Sequence, residues 1–170
     1  MDDLFFLKQE SDNGHLGMAI QGLAVGFEYI LLDTQTGVNA SLLQSLAYAD
    51  SVLLTCTCQA SAIKPLPLFL KYIRKIQAKR NHGLKLEGVL LTMVNDHDSC
   101  ATEVKQEIKK AFPKEIFFNT SIPFLPSFER AALHAVPVAL LKNAPAANQA
   151  FDTLALELEA RQNNERNEML

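Results

Sequence analysis

Five short, continuously apolar runs alternate with longer stretches of helical spacing, and this alternation limits the fold more than any other property of the chain. The runs are Leu4–Leu7, Tyr29–Leu32, Ser51–Cys56, Gly88–Met93, and Ile116–Phe118 with Ser121-Ile122. A strand with one wet face alternates apolar and polar residues, whereas a strand covered on both faces is apolar throughout. Between the runs, apolar spacing predicts helices over 16–25, 40–48, 67–80, 99–112, 127–135 and 146–160. Ser99 is placed to cap the fourth of these, with Lys109 and Lys110 in its last turn to suit the helix dipole. Strand–helix order throughout calls for an α/β, doubly wound, three-layer architecture: a mostly parallel sheet with right-handed crossovers and helices on both faces. No repeat or linker interrupts the pattern, so residues 1–162 read as a single domain and 163–170 as a frayed acidic tail.

Composition excludes several classes. The chain has 170 residues, 48% of them hydrophobic, which suits a packed soluble domain rather than disorder. No apolar run approaches the ~20 residues that span a bilayer. The start, Met1-Asp2-Asp3, is acidic where a secretory leader would be basic, so a cytoplasmic protein with no membrane partner is expected. Three cysteines, Cys56, Cys58 and Cys100, are an odd number that suggests no disulfide framework. Cys56-Thr57-Cys58 has two readings, soft-metal ligands or small core residues at the end of a buried strand. No second Cys/His pair at zinc-like spacing supports the first.

In a parallel sheet of this kind, ligands sit beyond the carboxyl ends of the strands. The groups there are Asp33-Thr34, Cys56–Gln59, Val94–Asp98 and Pro123–Pro126. An apolar strand ending in Asp33 either places a carboxylate beside a hydrated Mg²⁺ or merely caps the following loop. Asn95-Asp96-His97-Asp98-Ser99 is a metal or base candidate on paper and equally a plain polar loop. Ser41, Ser45 and Ser61 lack the Gly-x-Ser-x-Gly setting of a hydrolase nucleophile.

The order of these elements is similar to the ParA/MinD/Soj family of deviant P-loop ATPases. The string Phe27-Glu28-Tyr29-Ile30-Leu31-Leu32-Asp33-Thr34, then Gly37, then a helix ending in Ala49-Asp50, resembles that family's Walker B and switch II region. Leu86-Glu87-Gly88-Val89-Leu90-Leu91-Thr92-Met93 resembles its Gly-Val-Leu-Leu-Thr-Met strand. Ser121-Ile122-Pro123 with Ala131, Pro137 and Val138 resembles its Ile-Pro loop and the helix behind it, and Asn143–Ala147 its entry to the last helix. The resemblance implies a P-loop NTPase-like fold, ATP or ADP with Mg²⁺ as cofactors, and a role in chromosome or plasmid partitioning or cell positioning. It implies Asp33 as the Mg²⁺-side aspartate, acting through water, and Asn95 with Pro123, Phe124 and Leu125 as the adenine-side loops. It also implies self-pairing or pairing with a relative, and non-specific DNA contact.

Departures from the pattern matter as much. Gln35-Thr36 stands where many members have Pro-Pro, and Phe124-Leu125 where they have polar residues after Ile-Pro. No Gly-Lys-Thr or Gly-Lys-Ser occurs in the 170 residues, so the backbone cradle and lysine that hold phosphates are not in this sequence. The family's central first strand is likewise unmatched. Two alternatives to an ATPase follow: a non-catalytic interaction module that pairs through the missing-strand surface, or a nucleotide-independent DNA binder. For the latter, net charge is −3, yet Lys64–Lys85 holds seven cations and no acid, with Lys71, Arg74, Lys75, Lys79 and Arg80 on the helical stretch. The bland reading of those cations is a solvated helix face. The acidic last helix does not resemble a membrane-targeting amphipathic end.

Overall fold

The computed structural model describes residues 15–35 and 37–168. The expected strand Leu4–Leu7 lies outside them. The described elements are α1 (His15–Ala24), α2 (Ala40–Tyr48), β1 (Ser51–Thr57), α3 (Ala60–Ile63), α4 (Pro65–Lys79), β2 (Lys85–Val94), α5 (Ser99–Ala111), β3 (Phe117–Pro123), α6 (Pro126–Leu133) and α7 (Pro145–Glu168). Single 3₁₀ turns at Lys114–Ile116 and Val138–Leu140 precede β3 and α7. The sheet has the order β1-β2-β3, with β2 and β3 parallel. The chain divides into two compact units: 1–52 with 67–86, and 53–66 with 87–170.

In the first unit, α2 and α4 share an apolar cluster built on Leu42, Leu43, Leu46, Ile73, Ile76 and Leu84. Asn39 caps α2, its Oδ1 accepting the Leu42 N–H at 2.9 Å. Asn81, just past α4, donates its amide to the Leu46 and Ala49 carbonyls at 3.1 and 2.7 Å, satisfying the open end of α2. Gly17 lets α1 approach α2 closely: a Cβ there would sit 2.6 Å from the Tyr48 ring.

In the second unit, the two-residue period of the strands sorts side chains onto two faces. Val89 and Leu91 of β2 join Cys56, Cys58 and the α5 residues Ala101, Val104 and Ile108. Leu90 points the other way, with Leu53, Phe118, Ile122 and the α7 residues Leu154 and Leu158. Helices therefore cover both faces, as continuously apolar strands require. Gly88 has φ +151, and a Cβ there would lie 2.8 Å from both the Ile116 carbonyl oxygen and the Phe118 ring, so the β2–β3 approach demands glycine.

The structure departs from sequence expectation in three places. Tyr29–Leu32 is not a strand: residues 29–35 have no regular structure, and Leu31 is 86% exposed. Strand conformation is held by ladder partners, and no described strand pairs with this run. The cap of α5 is Asp98, not Ser99; its carboxylate accepts the Cys100 N–H at 2.9 Å. Finally, α7 continues to Glu168, past the expected frayed boundary at Gln162.

Candidate functional site

The carboxyl ends of β2 and β3 lie side by side, with Val94 paired to Pro123 and the Phe124 N–H bonded to the Val94 carbonyl at 2.8 Å. This brings Asn95 together with Pro123, Phe124 and Leu125 on one edge of the sheet. The approach to that edge is irregular. Between the Leu91–Ser121 and Val94–Pro123 pairs, β2 advances one residue more than β3, and within this bulge Met93 takes φ +53. A left-handed methionine is uncommon, and such backbone strain concentrates at functional edges. Met93 is 41% exposed and Phe124 50% exposed, so the edge presents an apolar surface to solvent.

The polar loop beside it is turned inward on itself. Asn95 Oδ1 accepts the His97 N–H at 3.2 Å, and the Asn95 carbonyl accepts the Asp98 N–H at 3.1 Å. Asp96 pairs with Lys105 at 3.1 Å, and Asp98 caps α5. Among the described residues no three His, Cys, Asp or Glu side chains gather as metal ligands. His97 is exposed in this loop.

Cys56 and Cys58 are buried in the apolar cluster of the second unit. Burial pushes both thiols up, and for Cys56 the neighbouring Cys58 pushes further. Thiolate formation is thereby disfavoured, as expected of core residues rather than reactive ones.

Asp33 belongs to the first unit and is exposed, in the stretch without regular structure. Of the basic candidates, Lys71, Arg74, Lys75 and Lys79 lie on α4, and Arg80 just beyond it. At about 100° per residue these four helical cations fall within an arc of about 140°, opposite the buried face of Leu66, Phe69, Leu70, Ile73 and Ile76. Lys71, Arg74, Lys79 and Arg80 are exposed, and Lys75 lies 5.5 Å over the Tyr72 ring.

Sequence reading singled out neither Glu157 nor Arg161, both of the last helix. They clamp α7 to β3. The Glu157 carboxylate accepts the Asn119 and Thr120 N–H groups, each at 2.7 Å. Arg161 donates to Glu157 at 3.1 Å, to the Phe117 carbonyl at 2.5 Å and to the Glu87 carbonyl at 3.3 Å, and stacks 4.1 Å from the Phe118 ring centroid. Burial pushes the Glu157 carboxyl up, but hydrogen bonds from Thr120, Asn119 and Arg161 outweigh it and hold the group below its ordinary value. The signal was present: at i and i+4, both charges fall within the helical stripe marked by Leu154 and Leu158.

Residues 2–86 match the family model described as an AAA domain, which is half of the chain. The sporulation initiation inhibitor protein Soj of Bacillus subtilis is 28% identical over 145 residues, covering 85% of this chain and 57% of Soj. The chromosome partitioning protein ParA of Myxococcus xanthus is 32% identical over 111 residues, covering 65% of this chain and 39% of ParA. The chain belongs to the ParA/MinD/Soj family. It spans about half the length of the curated relatives it matches. In fold, it is similar to cobyrinic acid a,c-diamide synthase from Mycobacterium smegmatis, with a TM-score of 0.65 at 21% identity, covering 89% of this chain and 56% of that one. Another structure of that enzyme, with a TM-score of 0.56, holds an ATP analogue and magnesium. These likenesses establish the α/β, P-loop NTPase-like fold expected from the sequence. No helix among the described residues is long and apolar enough to cross a membrane.

The β2–β3 edge offers a flat ring an apolar face. Phosphates need clustered N–H donors or cations, but no Gly-Lys-Thr/Ser loop exists in the 170 residues, and Lys105 beside the edge is paired with Asp96.

Proposed function

We propose that the chain contributes the base-side edge and the switch-type aspartate of a ParA/Soj-type partitioning NTPase, residues 1–162 acting as one NTPase-like domain in the cytoplasm. The observation that carries this reading is the meeting of Asn95 with Pro123, Phe124 and Leu125 at one carboxyl edge, in a member of this family. Asn95 and the three loop residues would face the base of ATP or ADP, and Asp33 would hold Mg²⁺ through water. Bound nucleotide would supply the phosphoryl group for transfer. Positioning and charge neutralisation dominate that chemistry. This chain alone, without a phosphate cradle, should therefore bind nucleotide weakly and not hydrolyse it. Calorimetry with ATP and Mg²⁺ on wild type and Asp33→Ala tests the assignment. Weak binding that weakens further in the variant is expected. Equal binding by both proteins would remove Asp33 from the site, and hydrolysis by wild type would overturn the account of the missing cradle.

We further propose DNA as the partner of the basic α4 face, through Lys71, Arg74, Lys75, Lys79 and Arg80; relatives named for chromosome partitioning support this reading. Such contact is read by phosphate charge and not by base sequence. Reversing Arg74 and Lys75 to Glu should weaken DNA binding and flatten its salt dependence. An unchanged salt slope would leave α4 as a solvated face.

A second reading is favoured by one observation. Phe27, Tyr29 and Leu31 are all exposed, in a stretch the family resemblance matches to a sheet strand. Exposed apolar patches of this kind mark association surfaces. The chain would then act as a non-catalytic module that pairs with itself or with a longer relative. A concentration-independent monomer in sedimentation, alone and mixed with such a relative, would rule this out.

A further inference from the structure

Arg161 and Glu157 grip β3 at two different points. Arg161 donates to the Glu87 carbonyl of β2 and to the Phe117 carbonyl of β3, so one guanidinium spans the amino ends of both strands. Val89 pairs with Phe117 just beyond it. One turn earlier on α7, each oxygen of Glu157 takes one N–H, Oε1 from Asn119 and Oε2 from Thr120. Those two residues lie in an irregular stretch. From the Val89–Phe117 pair to the Leu91–Ser121 pair, β2 advances two residues and β3 advances four. β3 therefore carries two surplus residues there, and donors that a bulge takes out of the ladder need an acceptor elsewhere. The Glu157 carboxylate is that acceptor, and Arg161 pairs with it at 3.1 Å.

The inward and outward pattern of side chains does not explain why β3 keeps the surplus. Side chains repeat every two residues along a strand, so a slide of β3 by two leaves each of them on its own face. Paired without the surplus, Leu91 would meet Asn119. With the β2 bulge unchanged, Ser121 would then stand opposite Val94, where Pro123 stands now. Pro123–Leu125 would be carried about 6–7 Å further along the strand, and the Phe124 N–H would lose the Val94 carbonyl.

We propose that Glu157 is the register lock of β3, a positioning residue that sets where Pro123–Leu125 stands beside Asn95. Arg161 pins the amino ends of the two strands, and Glu157 takes up the surplus chain before the carboxyl edge. One face of α7 thus measures out the length of β3 that reaches that edge, whatever ligand the edge takes.

Amide hydrogen exchange, read residue by residue by NMR on wild type, Glu157→Gln and Glu157→Ala, tests this. Thr120 reports the grip itself, and Phe124 the far end of the strand. Ile108 of α5, in the cluster on the other face of the sheet, reports general loosening. In Glu157→Ala, Thr120 and Phe124 should exchange at least about tenfold faster than in wild type after the change at Ile108 is divided out. Glu157→Gln keeps one acceptor oxygen and should fall between the two proteins. Should Glu157→Ala not fold, Glu157→Gln decides by the same ratio, with about threefold expected. Equal acceleration at all three amides would mean that the clamp only adds stability. Faster exchange at Thr120 with Phe124 at its wild-type rate would make Glu157 a local tie. Either result overturns the register lock.

Discussion

Tyr29–Leu32 and Gly88–Met93 are runs of the same chemical kind, and they end in opposite states. Leu91 in the second run is 2% exposed, whereas Leu31 in the first is 86% exposed. The difference does not lie in hydropathy or β-propensity, which both runs share. It lies in neighbours. Gly88–Met93 belongs to a strand with ladder partners on both sides and helices on both faces. Tyr29–Leu32 has no described ladder partner. An apolar run is thus permission to be a strand, and pairing makes it one.

The most direct way to break this comparison is to truncate the two leucines. Leu91→Ala should cost about 2–5 kcal/mol in urea denaturation, as buried leucine truncations do, and Leu31→Ala less than about 0.5 kcal/mol. Comparable losses from both would mean that the first run is covered in solution, which would favour pairing with another chain.

The second unit also owes its order to the α7 clamp, which has no counterpart among the described residues around 29–35. Arg161→Ala would strip a mostly buried carboxylate of its partner and leave two carbonyls, those of Phe117 and Glu87, without their donor. A loss of about 3 kcal/mol is expected by chemical denaturation. A loss under about 0.5 kcal/mol would place the clamp among surface ion pairs of no consequence.

A smaller effect separates strain from burial. Ala135 closes α6 at φ +50, and the following Val136 N–H bonds back to the Ala131 carbonyl. Glycine takes this left-handed C-terminal position without a Cβ penalty, so Ala135→Gly should raise stability by about 0.5–1 kcal/mol. A drop in melting temperature would contradict that reading of the turn.

The mildest probe is pH. The Glu157 carboxyl is held below its ordinary value in the folded state, so its contribution is fully present above the unfolded value of about 4.3. That contribution is lost as pH falls through the folded value. Stability should therefore decline more steeply below about pH 4 in wild type than in Glu157→Gln. Parallel curves for the two proteins would show that Glu157 is not the group responsible.

Much of the fold was legible. The five helices predicted over 16–25, 40–48, 67–80, 99–112 and 127–135 each recur within about two residues at their ends, and the last helix recurs longer. Apolar periodicity reports which face is covered, and that is a local property of the chain. The ParA/MinD/Soj family was legible as well, because the order and spacing of short motifs survive at low identity. The candidate site was legible only in part. The placement of Asn95 and Pro123–Leu125 follows from their strand ends, whereas the inward commitment of the 95–98 loop depends on which donor each oxygen meets.

The sequence by itself determined the α/β class, the family, the cationic face of α4 opposite its apolar stripe, and the want of any Gly-Lys-Thr/Ser loop. These follow from residue order and helical or strand periodicity, which need no knowledge of what lies across the core. Only the tertiary structure decided that Tyr29–Leu32 has no ladder partner among the described strands, that Asp98 rather than Ser99 caps α5, and that Glu157 with Arg161 serves β3 instead of solvent. It alone placed Met93 in a strained bulge near the carboxyl end of β2. Each of these depends on a partner distant in sequence or on a backbone angle set by packing, and a linear pattern encodes neither.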